Sequence, residues 1–313
     1  MKAVRYHQYG NSDVLRYEEA PVPEVLADEI LIKVSATAFN PADAMLRMGV
    51  MKDVLPLALP FIPNVDVSGV IDKMGESVKG FSRGDQVFAF LDMTKNGAAA
   101  EYVVCKAADV AHAPANIDLQ DAAAIPGGAL TAWQGLFDHG HLQSGQRVLI
   151  TAAAGGVGSF AVQLAKWKGA YVIGTASEPS FPALQAMGID EIVDYKKASA
   201  ADVITEKVDL IFNLSPIPSD EVTKLLQVLK EGGTLVTALH PADESAANDL
   251  GVHVVRMAVQ RNAEQLSHIA ALVDQGVVKP FITERLPLSS IASVHDKAGQ
   301  TRGKIVLHVS DNL

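Results

Sequence analysis

Residues 147–177 read RVLITAAAGGVGSFAVQLAKWKGAYVIGTAS. An apolar β-branched run breaks into small residues and glycines over 152–158, resumes with helical spacing, and ends in a second apolar run. That order spells strand, turn, helix and parallel strand. Gly155, Gly156 and Gly158 stand where the first strand passes into the helix. Glycine permits a tight turn and lets backbone N–H groups approach a pyrophosphate, while a helix N-terminus adds partial positive charge. The loop is built to face an anion. In the dinucleotide fingerprint, Ala153, Gly155 and Gly158 take the three small positions, with alanine in place of the first glycine. Because both strands and the helix flank it, the turn is expected to bind a dinucleotide through Ala154, Gly155, Gly156, Val157 and Gly158.

The same alternation extends on both sides. From about residue 120, RVLIT, SFAVQLAKWKG, AYVIGT, SFPALQAMG, EIVDY, VDLIFNL, SDEVTKLLQVLKEGG, TLVTAL and VHVVRM alternate strand and helix, which predicts parallel βαβ units. Before it, EILIKVSATAF, VSGVIDKMG, GDQVFAF and AAAEYVVC are short strand signals separated by turn residues, which predicts a partly open β-barrel or sandwich. After it come a helical run, NAEQLSHIAALVDQG, and a last strand, GKIVLHV, able to return to the first domain's sheet. The division expected is residues 1–119 with 262–313 in one domain and 120–261 in the other.

Composition narrows the partners. The 313 residues are 49% hydrophobic and carry a formal net charge of −10 without a long Lys/Arg run, so nucleic acid and anionic membrane surfaces are not expected partners. The single cysteine, Cys105, cannot form an internal disulfide, and MKAVRYHQYG lacks the apolar core of a secretory signal, which fits a reducing cytoplasm. The longest apolar stretch, VLPLALPFIP at 54–63, holds three prolines and is expected to be a loop that either walls a pocket or covers the core.

The second strand of the opening stretch ends near Ser177, about 20 residues past the loop, where an NAD site places a carboxylate for the ribose 2′-hydroxyl. Serine can donate to a 2′-phosphate and a carboxylate would repel it, which favours NADP; Ser177 is equally natural as a helix cap.

MKAVRYHQYG, FNPADAMLRMG, PNVDVSGVI, FSRGDQVFAF, GAAAEYVV, AAAIPGGALTAWQGL, TAAAGGVGSFAVQLAK and GKIVLHV together resemble the medium-chain dehydrogenase/reductase superfamily. They most resemble its zinc-independent quinone oxidoreductase branch, with the ζ-crystallin-like proteins and alkenal or enone reductases. The resemblance implies an α/β chain with a GroES-like partly open β-barrel domain, a Rossmann doubly wound parallel-sheet domain, and a substrate cleft between them. By similarity the catalytic zinc positions of the alcohol dehydrogenase branch fall on Asn40, Val65 and a point near Gly127, none of which supplies a thiolate or imidazole. His139 and His141 lie in a turn-like stretch without a third ligand, so no metal site is expected.

Without a Lewis acid, reduction of an already electrophilic acceptor is the smaller demand. The resemblance therefore implies an NADPH-dependent oxidoreductase that reduces quinones or other α,β-unsaturated carbonyl compounds by hydride transfer. A dedicated alkenal or enone double-bond reductase is the nearest alternative, and a catalytically silent NADPH-binding structural or regulatory protein is another. Asn40 is the candidate substrate-facing group, since its amide can donate to a developing enolate oxygen; the NP dipeptide also suits a plain turn. Asp43 is expected to cap the helix AMLRMG. By resemblance Thr131, Tyr195, Asn213, Leu214 and Leu239 are further cofactor contacts, alongside Ser177. The usual basic residue near the 2′-phosphate is missing at Ser180 and Phe181, leaving Lys197, Arg302 or Lys304 as substitutes. The family also implies a homodimer, for which VHVVRM is a plausible sheet edge.

Overall fold

A computed structural model describes residues 1–309 of the chain. Its first strands are β1 (Lys2–Arg5), β2 (Arg16–Glu19), β3 (Glu29–Ala38), β4 (Asp66–Met74), β5 (Gln86–Phe90), β6 (Tyr102–Lys106) and β7 (Val110–His112). Then follow β8 (Arg147–Ile150), β9 (Tyr171–Ala176), β10 (Glu191–Asp194), β11 (Val208–Asn213), β12 (Leu229–Thr237) and β13 (His253–Arg256), and last β14 (Ile282–Pro287) and β15 (Lys304–His308). The chain forms two compact units. One holds Met1–Gly127, Arg261–Gly276 and residues 282–309; the other holds Gly128–Gln260 and Val277–Phe281.

The second unit carries an all-parallel sheet in the order β10-β9-β8-β11-β12-β13. Numbered along the chain this is 3-2-1-4-5-6, the doubly wound order, with the reversal between β8 and β11. The central strands are apolar on both faces, as a sheet covered by helices on each side requires. Val148, Leu149 and Ile150 of β8 and Leu210, Ile211 and Phe212 of β11 are buried accordingly. One expected element differs. The helix read from SDEVTKLLQVLKEGG ends at Leu225, and after a single tight turn the chain is already in strand β12 at Leu229. Gly232 sits there at φ 75° and the pairing with β11 shifts register between Val208 and Leu210, so the glycines bulge the strand instead of closing a helix.

The first unit is built on β3. Its first half pairs with β6 and its last residues with β15, both antiparallel, while β4 runs along its other edge. The sheet continues from β4 to β5 to β7, and from β15 to β14. The C-terminal strand thus returns to the N-terminal sheet, as its apolar sequence suggested. β14 was not legible, because ITERLP alternates half-buried and exposed positions and looks like a polar loop. Ala123 and Ala124 pack on Ala36, Ala38 and Val306, which carries this unit on to Gly127. The helix Ala263–Asp274 joins it through the Asp274 carboxylate, which accepts from the N–H groups of Ala115 and Asn116.

The proline-rich 54–63 segment does two jobs. Phe61, Ile62 and Pro63 are buried against the core, whereas Val54 and Leu59 are exposed. Among the described residues no helix is long and apolar enough to cross a membrane.

Candidate active site

The glycine turn lies at the carboxyl end of β8, at the reversal point of the parallel sheet, where open α/β sheets bind their ligands. The helix it feeds, Gly158–Trp167, is preceded by Val157 in helical conformation and has no side-chain cap. Among the described residues the N–H groups of Gly156, Val157 and Gly158 find no protein acceptor. Uncapped amides at a helix N-terminus are the donor set that a pyrophosphate takes up. A Cβ on Gly158 would lie 2.3 Å from the carbonyl oxygen of Ala152 and 2.8 Å from the Ala153 backbone, so only glycine allows the helix to start this close to the strand end. This is the packing role of the fingerprint's third small position. Ala152 itself adopts φ 50°, and its N–H donates to Thr175 Oγ1 at 3.0 Å, which ties the turn to β9.

Thr151 organises the neighbouring strand ends. Its hydroxyl donates to Asn213 Oδ1 at 2.8 Å and accepts from the N–H groups of Leu214 and Ser215. Asn213 Nδ2 in turn donates to Thr237 Oγ1 at 3.2 Å, and the N–H of Leu239 donates to the same oxygen. Asn213 is fully buried, and its amide holds the ends of β8, β11 and β12 together. Leu214 and Leu239 follow those ends, half-buried. Thr131 is buried on the helix Pro126–Trp133.

Ser177 follows β9 and is half-buried, and Tyr195 follows β10 at 58% exposure. Lys197 lies 3.3 Å from Asp194 and 4.0 Å from Glu178, so an exposed cation stands beside the residue next to Ser177. Lys304 is not available as such a cation. Its side chain is 3% exposed and engaged within the first unit, which removes it from the substitutes for the missing basic residue.

Lys304 instead completes a buried polar cluster. Its ammonium donates to Asn40 Oδ1 at 2.7 Å and to Asp66 Oδ2 at 2.9 Å. Asn40 Nδ2 donates to Asp66 Oδ2 at 3.0 Å, and Asp66 Oδ1 accepts the N–H of Gly127 at 2.7 Å. Four segments meet here: the chain just past β3, the first residue of β4, the first residue of β15, and the start of the helix Pro126–Trp133. A Cβ on Gly127 would fall 2.9 Å from the carboxylate and 3.1 Å from the Phe90 ring, so glycine is what lets the backbone reach Asp66.

Of the three positions that correspond by similarity to zinc ligands, Asn40 and Gly127 both donate to the Asp66 carboxylate, and Val65 is the residue just before it. The donor set does not suit zinc. An amide, a valine and a glycine offer neither thiolate nor imidazole, and an ammonium already sits against the one carboxylate, where it would repel a divalent cation. Among the described residues no group of three or more His, Cys, Asp or Glu could hold a metal ion. His139 is half-buried and His141 is exposed at φ 49°. Neither Asp66 nor the role of Lys304 is among the sequence-based expectations. The signal was there in PNVDVSG and GKIVLHV, each with one charge at the head of a buried apolar strand, since opposite charges in such places must pair.

Asp43 has the capping role expected of it. Its Oδ2 accepts the N–H of Asn40 at 2.8 Å at the start of the helix Pro41–Met48. Burial pushes its carboxyl up to about 7, Asp66 adds to the rise, and the Asn40 N–H and Lys304 oppose it. The folded chain then holds a proton that the unfolded chain releases near pH 4. Stability from this group is complete below pH 4 and is lost as pH rises through 7. His295 works in the other direction. Burial and Arg47 push it down to about 3, so its contribution is present above about pH 6.5 and is lost as pH falls through 3. The two slopes cancel where they overlap. Asp43→Asn keeps the cap oxygen and removes one slope, so its stability relative to wild type rises by roughly 1.4 kcal/mol per pH unit between pH 4 and 7. Urea unfolding across that range measures it; parallel curves would contradict the assignment.

Known proteins share this architecture. Residues 26–115 match the alcohol dehydrogenase GroES-like domain, and residues 187–307 match the zinc-binding dehydrogenase family. The chain is 35% identical to a 2-methylene-furan-3-one reductase of Solanum lycopersicum, over 98% of this chain and 79% of that protein. It is 34% identical to the NADPH-dependent alkenal/one oxidoreductase, chloroplastic, of Arabidopsis thaliana, with the same coverage of 98% and 79%. The solved quinone oxidoreductase of Coxiella burnetii superposes with a TM-score of 0.89 at 29% identity, covering 99% of both chains. On the fold, the glycine turn and these relatives, the chain belongs to the medium-chain dehydrogenase/reductase superfamily, in its zinc-independent quinone oxidoreductase branch.

Proposed function

We propose that the protein is an NADPH-dependent, zinc-independent reductase of quinones and other α,β-unsaturated carbonyl compounds. The observation that carries this reading is the Asn40 amide, held by an ammonium and a carboxylate at the positions where metal-dependent relatives bind zinc. NADPH, when bound, supplies a hydride. The chain's own part is to hold the dinucleotide on the glycine turn and to stabilise the charge that the hydride pushes onto the acceptor. In an enone, hydride adds to the β-carbon and the electron pair moves to the carbonyl oxygen, where the Asn40 N–H donates. A proton from water at the α-carbon completes the reduction. In a quinone the same hydride and proton give the hydroquinone.

The tomato and Arabidopsis relatives are named for enone and alkenal reduction and the Coxiella one for quinone reduction, which supports this acceptor class. Met45, Met48, Val50, Val54 and Leu59 expose apolar surface on and just after the helix that Asn40 begins, which favours apolar acceptors. Thr131, Ala154, Gly155, Gly156, Val157, Gly158, Asn213, Leu214 and Leu239 are the proposed cofactor contacts, with Ser177 and Tyr195 at the 2′-phosphate. β13, an edge of the parallel sheet, is the proposed dimer seam.

Two measurements test this reading. NADPH oxidation is followed with a small quinone, with an alkenal and with no acceptor; consumption only with an acceptor is expected, and binding without turnover would favour a silent NADPH-binding protein. Ser177→Asp places a carboxylate against the 2′-phosphate. It should lower kcat/KM for NADPH by about 10- to 100-fold and spare NADH. Equal losses with both nucleotides would remove Ser177 from the 2′-phosphate site.

A further inference from the structure

Asn40 is a weakly specified donor on its own. Its amide has an oxygen and a nitrogen at interchangeable places, and a half-turn about the last bond would present an acceptor where a donor is needed. Here both ends have charged partners. The Lys304 ammonium lies 2.7 Å from Oδ1, and the Asp66 carboxylate lies 3.0 Å from Nδ2. In the flipped amide, NH2 would meet the ammonium and the oxygen would meet the carboxylate, so two charge-assisted hydrogen bonds would become two repulsions. Asp66 itself accepts from Lys304, Asn40 and the N–H of Gly127, and both charged side chains are at least 97% buried. The pair cannot swing out to water and leave the amide free.

We infer that Lys304 and Asp66 are positioning residues for the proposed reaction. They fix the Asn40 amide so that one Nδ2 hydrogen is spent on Asp66 and the second is presented to the acceptor's carbonyl oxygen. The ion pair does the orienting work, and its cation reaches the acceptor only through the Asn40 amide. This rests on the reading of Asn40 as the group that faces the acceptor. It also accounts for a lysine and an aspartate, both buried, at the heads of β15 and β4, where an apolar pair would fill the space without the cost of burying charge.

Purified protein with 15N-labelled asparagine is compared as wild type, Asn40→Ala, Lys304→Met, Lys304→Arg and the double variant Lys304→Met/Asp66→Asn. The double variant removes both charges together, so it keeps the test alive if the single change leaves Asp66 unpaired and the protein unfolded. The Asn40 amide signals, assigned by their loss in Asn40→Ala, should show two well-separated, slowly exchanging protons in the wild type. In Lys304→Met and in the double variant they should draw together and exchange faster. With an enone as acceptor, kcat should fall by about 30- to 100-fold in both, while KM for NADPH stays within about twofold. Lys304→Arg, which keeps a cation, should lose less than Lys304→Met. A merely structural pair would leave kcat of the folded double variant unchanged even where the amide signals move. A slow Asn40→Ala beside a double variant with wild-type kcat overturns the positioning role alone. Wild-type kcat in Asn40→Ala overturns the reading of Asn40, and the positioning role with it.

Discussion

Gly158→Ala raises the dissociation constant for NADPH by at least about 100-fold and lowers stability by roughly 1–3 kcal/mol. The added methyl would sit 2.3 Å from the Ala152 carbonyl oxygen and 2.8 Å from two backbone atoms of Ala153, far inside contact distance. None of these is the end of a flexible side chain, so relief requires the helix Gly158–Trp167 to back away from β8 or the turn to open. Either movement scatters the N–H groups of Gly156, Val157 and Gly158 that are uncapped at the helix start. Binding should suffer more than folding, because eight residues of the helix from Gly158 to Ala165 remain buried and keep it docked. Nucleotide titration by fluorescence, with thermal melting of the same sample, measures both. Unchanged affinity would mean that this turn does not hold the pyrophosphate.

Asn40→Ala is expected to lower kcat by about 100- to 1,000-fold with an enone, the usual consequence of removing one donor to a developing oxyanion. KM for NADPH should not move, since Asn40 belongs to the unit that lacks the glycine turn. Folding should survive, because Lys304 and Asp66 keep their 2.9 Å contact with each other and Asp43 still caps the helix through the backbone N–H. Steady-state kinetics at saturating NADPH separates these effects. A rise in KM for the acceptor without a change in kcat would make Asn40 a binding group that does not favour the transition state.

The parallel sheet was legible because its strands are buried on both faces and therefore read as unbroken apolar runs between helical stretches. The fingerprint turn was legible for a steric reason, since a close helix start tolerates only glycine at position 158. β14 and the bulge in β12 were hidden, the first by its alternating polar pattern, the second because Glu231-Gly232-Gly233 has the composition of a helix stop. At the polar cluster, Asn40 is singled out by resemblance, while its NP dipeptide reads equally as a turn. The partners of Asn40 are not singled out, because Lys304 is 264 residues away in sequence and only the folded sheet brings it to the amide. The same distance explains why the sequence alone leaves Lys304 among the candidate cations for the 2′-phosphate. From sequence a lysine beside Gly303 looks solvated, and burial is a property of the strand's place between β14 and β3.

The central claim is that hydride passes from NADPH to a conjugated carbonyl acceptor without a metal. Its most direct test is reduction of an enone with NADPH carrying deuterium at the transferable nicotinamide position, in ordinary water and again with a strong chelator, with the product examined by mass spectrometry and NMR. The account predicts one deuterium at the β-carbon, a solvent-derived hydrogen at the α-carbon, and the same rate with the chelator. Product without deuterium, or loss of activity on chelation, would contradict it.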